Sequence, residues 1–258
     1  MDKRIKKRLP TIILIVILVV FAILLIINET NLFHNERNYT FKEAVNKQVG
    51  NGALNTKDTS NGFEDASKAD VRKAMKVDDK NDSINHMQIT EKVALSKKEV
   101  NHMLRDKGVF KNKGQAFLDA QDKYDVNVIY LISHALVETG NGKSDLAKGL
   151  KDDGKRYYNF FGIGAFDENA LHHGNSYAKK ANWDSPEKAI MGGAKFVREN
   201  YFENNQLSLY QMRWHPEDPG KHQYASDINW DDNIAQVMKH YYEQLGIKKD
   251  HINKHHYL

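Results

Sequence analysis

Asn127–Gly142, NVIYLISHALVETGNG, is the stretch from which the fold can be read. Between Val128 and Leu136 only Ser133 and His134 are not apolar or aromatic. A helix apolar on nearly every side belongs inside a core, not on a surface. Asn127 is an N-cap residue type, and Gly140 stands where a C′ glycine ends a helix. The pattern predicts a central buried helix over Val128–Thr139. Glu138 is its one carboxylate, in the last turn before the break Thr139-Gly140-Asn141-Gly142.

On either side of this helix the pattern is also helical. Ser96-Lys97-Lys98-Glu99 is a capping box leading into Val100, Met103 and Leu104. Gly114–Tyr124 carries Ala116, Phe117, Ala120 and Tyr124 on one face. Ser144 can cap a short helix through Lys148, ended by Gly149. Residues 160–183, FFGIGAFDENALHHGNSYAKKANW, mix aromatics and glycines around a polar middle and read as a β-hairpin or small β-lobe. Ser185-Pro186 opens another helix with a cap and an N1 proline. The last helix is expected over Asp231–Leu245, with Ile234, Met238 and Tyr241 inward. The expected fold is mainly α (α+β), with a globular domain over residues 95–258.

The N-terminal third differs. Residues 9–27, LPTIILIVILVVFAILLII, carry no charge and follow Lys3, Arg4, Lys6, Lys7 and Arg8. As a helix this run covers about 30 Å, the hydrocarbon core of a bilayer. Basic residues stay inside, so residues 1–8 are expected in the cytoplasm and the rest of the chain outside it, in a single pass. The run exceeds the apolar region of a signal peptide and no A-x-A site follows, which favours an anchor. Residues 28–94 are rich in Asn, Lys, Asp and Ser. Such a segment buries little apolar surface, so it reads as a stalk with short helices near Thr40–Val49 and Asp70–Val77. A stalk of that length would span roughly 45 Å. The alternative is that it packs on the domain.

Composition excludes several classes. The chain has 258 residues, no cysteine and a net charge of +4. Disulfide frameworks, thiolate metal sites and cysteine nucleophiles are ruled out. The basic excess is mild, much of it at the N-terminus, and too weak to argue for nucleic acid. No cofactor motif is present, and His134 with Glu138 lacks the HExxH pattern of a metal site. His134 therefore reads as a core histidine, and the pairs His172-His173 and His255-His256 as exposed. Trp183, Trp214 and Trp230 are candidates for sugar stacking; Trp214, in a loop, suits a groove better than Trp230, which opens a helix.

The chemistry centres on Glu138. Burial and the C-terminal end of the helix dipole would both raise its pKa. A carboxyl kept protonated near neutral pH can protonate a glycosidic oxygen. Its position alone does not separate it from a solvated helix-end glutamate. Four segments change that weight: LISHALVETGNGKSDLA (131–147), YYNFFGIGAF (157–166), WDSPEKAIMGGAKFV (183–197) and HQYASDINW (222–230). In this order they resemble the peptidoglycan N-acetylglucosaminidases of glycoside hydrolase family 73. The resemblance covers about residues 95–245.

The resemblance implies a lysozyme-like helical fold with a β-lobe. It implies cleavage of the β-1,4 bond on the reducing side of N-acetylglucosamine. It puts the catalytic acid on Glu138 and the family's essential tyrosine on Tyr224. Asn159, Phe161 and Gly162 match a groove-lining segment. Glu168, beside Asp167, is the nearest candidate for a second carboxylate, which an inverting route would need and a substrate-assisted route would not. Asp227 is placed to cap or orient Tyr224. Muramidase or lytic transglycosylase activity, or a weakly active glycan-binding scaffold, are the competing readings. Peptidoglycan is the expected partner. With no wall-binding repeat in the sequence, targeting would rest on the membrane and on an integral-membrane partner.

Overall fold

The computed structural model describes residues 14, 16–22, 38–80, 83–145, 147–164 and 170–258. Most of the apolar run 9–27 lies outside these. Residues 14 and 16–22 are helical and exposed. Among the described residues no helix is long and apolar enough to cross a membrane.

Helix α1 (Phe41–Gly50) starts at a complete capping box, in which Thr40 and Glu43 each satisfy the other's backbone N–H. Strands β1 (Thr56–Thr59) and β2 (Gly62–Asp65) form an antiparallel hairpin. Helix α2 (Lys68–Ala74) begins at a second capping box, Ser67 with Asp70. Ala44, Val45, Val71 and Met75 from this region are buried with Tyr210, Trp214 and Ile228 in a core of their own. Residues 38–80 therefore form a lobe rather than a stalk. The few apolar side chains here are too sparse for a core alone, but aromatics from the far end of the chain complete one.

The main core forms around helix α5. Helices α3 (Lys97–Met103) and α4 (Gly114–Tyr124) precede it, and α5 spans Val128–Glu138. All residues from Val128 to Leu136 are buried. The Asn127 side chain accepts from Tyr130 N–H and donates to the Tyr242 hydroxyl, fixing the start of α5. At the other end Gly140 takes φ +54°, and Asn141 N–H returns to the Leu136 carbonyl. Burying an Ile or Leu side chain contributes about 1.5–3 kcal/mol, so α5 is a major source of stability.

Strands β3 (Leu150–Asp152) and β4 (Lys155–Tyr157) form the second hairpin. Helices α6 (Ala170–Lys180), α7 (Pro186–Asn200), α8 (Leu209–Trp214) and α9 (Trp230–Gln244) follow. Helix α7 packs on α4, and α9 packs on α5. The last residues return to the lobe, where Leu258 N–H meets the Tyr39 carbonyl at 3.0 Å.

The small β element is thus at Leu150–Tyr157, not at residues 160–183. There a turn with Gly162 and Gly164 at positive φ leads, after 165–169, into α6. Ala178 is buried on that helix and Tyr177 packs beside Trp183, so the mixed aromatic run carries a helical face. Of the expected helix Ser144–Lys148, residue 146 lies outside the described residues; the others are in turn or bend, with Lys148 N–H on the Ser144 carbonyl.

Candidate active site

Glu138 ends α5 with its side chain 25% exposed, beside a half-buried Val137, on a helix buried from Val128 to Leu136. The indole N–H of Trp230 donates to its Oε1 at 3.1 Å. His134, one turn earlier, is fully buried. Its Nε2 sits 3.5 Å from the same oxygen and has no other polar partner. Its Nδ1 lies 3.1 Å from the Tyr130 hydroxyl. The imidazole is enclosed by Phe161, Tyr224 and Trp230, each edge-on, with ring centres 5.3, 4.9 and 5.3 Å away.

Tyr224 lies flat on Trp230, with centroids 4.8 Å apart and planes 20° apart. Its hydroxyl donates to the Phe161 carbonyl at 2.8 Å. Gly162 follows directly, at φ +65°. A Cβ there would stand 3.1 Å from Glu138 Oε2. Glycine therefore serves both the left-handed turn and the open face of the carboxylate.

Burial pushes the Glu138 carboxyl up, but the His134 imidazole and the Trp230 indole outweigh it and hold the group below the usual carboxylate range. The expectation of a raised pKa is corrected for the free site: two donors converge on a carboxylate that desolvation alone would neutralise. Burial holds the Tyr224 phenol well above its ordinary range, so it stays a neutral donor.

The remaining expected residues divide. Asn159 is buried and ties its own loop to α6, donating to the Ile163 and Gly174 carbonyls and accepting from Ile163 N–H. Phe161 is also buried, so it shapes the groove through its carbonyl and through Gly162. Asp227 accepts from Asn229 N–H just ahead of α9 rather than touching Tyr224 through its carboxylate. Burial raises its pKa. Trp214 does not reach a groove: it is fully buried in the lobe core with the Arg213 guanidinium over its ring. The loop expected around it is α8, which turns the indole inward. Trp183 is likewise buried. Trp230 instead holds the place by the carboxylate. His256 is buried and bonded to His86, so the C-terminal pair is not exposed as a whole. Glu168 and Asp167 lie outside the described residues. Among the described residues no three His, Asp or Glu side chains converge as a metal ion would require.

A buried glutamate with a histidine behind it, an indole donor beside it and a glycine in front is suited to giving and taking one proton. The comparisons with known proteins point the same way. A family model for glucosaminidase, described as mannosyl-glycoprotein endo-beta-N-acetylglucosaminidase, matches residues 114–243. The bifunctional autolysin of Staphylococcus epidermidis is 54% identical over 160 residues, which is 59% of this chain and 12% of that protein. The chain thus corresponds to a small part of such relatives. Among solved structures, S. aureus Autolysin E in complex with the muropeptide NAM-L-Ala-D-iGlu shares 58% identity at a TM-score of 0.81. The match covers 87% of this chain and all of that one (100%). The catalytic mutant E138A of the same protein, in complex with the disaccharide NAG-NAM, matches at 57% identity and the same TM-score, 0.81. Built around a helical core with two small hairpins, and matched over half its length by the family model, this chain belongs to the glucosaminidase family of glycoside hydrolases.

Proposed function

We propose that this chain cleaves the β-1,4 bond after N-acetylglucosamine in peptidoglycan glycan strands, with Glu138 as general acid. The observation that carries the reading is the site around that carboxylate: one open side, a histidine 3.5 Å behind it and a neutral tyrosine loop against it. Two structures of one relative add support, since S. aureus Autolysin E is seen with a muropeptide and its catalytic mutant E138A with the disaccharide NAG-NAM.

The depressed pKa shapes the mechanism. In the free site the proton spends most of its time off Glu138. A sugar ring covering the open quarter removes water from the carboxylate and favours its protonated form. His134 Nε2 faces Glu138 Oε1 at 3.5 Å and backs the carboxyl from the buried side. Tyr224 keeps the 161–162 turn, and so the leaving oxygen's approach, fixed against Glu138. The second catalytic role goes to Glu168 in an inverting route, or to the substrate's own 2-acetamido group. A loss of about 100-fold or more in Glu168→Gln assigns it to the carboxylate. Activity near the wild-type rate assigns it to the acetamido group.

The apolar run at residues 9–27 supports a single-pass anchor with the N-terminus inside and the catalytic domain outside the membrane. An enzyme so held would act on strands near the membrane, beside an integral-membrane partner. A pulldown through residues 9–27 that recovers no membrane protein would remove that partner.

The test uses the full chain with isolated peptidoglycan. Products are reduced and the new ends read by mass spectrometry. New N-acetylglucosaminitol ends are expected, reduced by about 10²–10⁴-fold in Glu138→Gln. Reduced muramic ends or anhydro ends would instead indicate a muramidase or a transglycosylase, and no ends at all a binding role. The pH profile gives a second check. His134→Phe removes the main group holding the Glu138 pKa down. The falling limb of kcat/KM, where the acid loses its proton, should then move to higher pH.

A further inference from the structure

Tyr224 and Asp227 lie on a loop, residues 220–228, that is clasped from two sides. On one side is Arg213, fully buried in α8. Its Nε donates to the Asp227 carbonyl at 2.7 Å and its Nη2 to the Ser226 carbonyl at 2.8 Å. Nη1 reaches Gln223 Oε1 at 3.3 Å, and Nη2 also donates to Asn55 Oδ1 at 3.1 Å. All four bonds go to neutral oxygens. A buried guanidinium satisfied this way is a rigid planar fork, and here it fixes two successive backbone carbonyls of the loop.

On the other side is the N-terminal lobe. Thr56 N–H donates to the Ser226 carbonyl and Ile228 N–H to the Thr56 carbonyl, each at 2.9 Å, a parallel bridge to Asp227. Gln48 Nε2 donates to both Asn55 Oδ1 and Gln223 Oε1, at 2.8 and 2.9 Å. Its Oε1 accepts from Gly220 N–H at 2.8 Å. Gln223 Nε2 closes the ring on the Leu54 carbonyl. Asn55 is 8% exposed and Gln48 fully buried, so these bonds are shielded from competing water. Residues 48–56 lie outside the family match at 114–243.

We propose that Arg213 and Asn55 are positioning residues that lock the 220–228 loop, and with it Tyr224, against Glu138, so that the N-terminal lobe is part of the catalytic unit. The inference rests on the reading of Tyr224 given above. Neither residue touches Glu138. They act on the loop backbone, which carries the Tyr224 hydroxyl to the Phe161 carbonyl and sets where Trp230 starts α9. A misplacement of about 1 Å at such a site can cost up to 100-fold in rate.

The experiment measures kcat and KM of the full chain on glycan strands for Asn55→Ala, Asn55→Asp, Arg213→Lys and Tyr224→Phe, and for Asn55→Ala combined with Tyr224→Phe, with unfolding midpoints alongside. Asn55→Ala should lower kcat by about tenfold or more while KM stays close to wild type. Asn55→Asp, which keeps the acceptor for Arg213 but loses the Nδ2 bonds to the Ala53 and Gln48 carbonyls, should recover part of that loss. Arg213→Lys, a point charge without the fork, should fall at least as far as Asn55→Ala. In the Tyr224→Phe background, Asn55→Ala should add no further loss. Wild-type kcat in Asn55→Ala, while Tyr224→Phe is impaired, would overturn the lock. So would losses that simply multiply in the double variant. Wild-type kcat in Tyr224→Phe would instead sink the reading of Tyr224, and with it this route, leaving Glu138 untouched.

Discussion

Helix α5 is buried without interruption from Val128 to Leu136, whereas the lobe of residues 38–80 buries Ala44, Val45, Val71 and Met75 among many exposed lysines, asparagines and aspartates. The first carries its apolar surface in its own sequence. The second borrows its core from Tyr210, Trp214 and Ile228 and ties the remainder down with capping boxes and buried amides. A segment can thus read as too polar to fold and still be ordered, provided a later part of the chain supplies the apolar half.

If the lobe and α5 belong to one cooperative unit, equivalent cavities in each should cost alike. Ile132→Ala and Met75→Ala should each lower unfolding stability by about 2–5 kcal/mol, in a single denaturant transition. An early separate transition in Met75→Ala would show that the lobe melts by itself and would break the comparison. Gly193→Ala should cost about 1–3 kcal/mol. Its Cβ would stand 2.1 Å from the Phe161 ring, which rests on α7 at that glycine. Because Phe161 also carries the carbonyl that Tyr224 holds, activity should fall along with the melting temperature.

Acid should act on the seam between lobe and domain. Burial, with His256 and Lys254 nearby, lowers the His86 pKa to about 3. Folded His86 is then neutral where the unfolded residue takes up a proton. Stability is therefore expected to decline as pH falls below about 6.5, the ordinary histidine value. Asn at position 86 should flatten that decline, as read from unfolding midpoints across pH.

Much of the catalytic domain was legible in local pattern. Gly114–Tyr124 is a helix with the expected bounds, and α5 and α9 lie within a residue of theirs. Capping boxes at Thr40 and Ser96 mark helix starts because their chemistry is confined to four residues, whereas the box at Ser67 starts α2 ahead of the expected Asp70. The hairpin misplaced to 160–183 shows the limit: aromatics beside glycines suit a strand edge and equally a turn leading into a helix. At the site, Gly162 faces Glu138, and Tyr224 stacks on the Trp230 that donates to that carboxylate. Trp214 lies in the lobe core instead of a groove, while Trp230 is buried in the main core and donates to Glu138, because which face of a helix an indole takes depends on packing partners distant in sequence. Arg213 is set among apolar neighbours in LSLYQMRWHP, which is the signal for a buried cation, but its acceptors lie at residues 55 and 223–227 and no local pattern announces them.

The bond between Leu258 and Tyr39 has a practical meaning. The described fold begins and finishes at one spot, so a tether fused after Leu258 would leave the domain where a tether before Tyr39 leaves it. The ends could equally be joined by a few residues and the chain reopened at an exposed turn such as Asp153–Gly154 between β3 and β4. A rearranged enzyme of this kind, cut in a hairpin turn and sewn at the lobe, should keep both its shape and its groove.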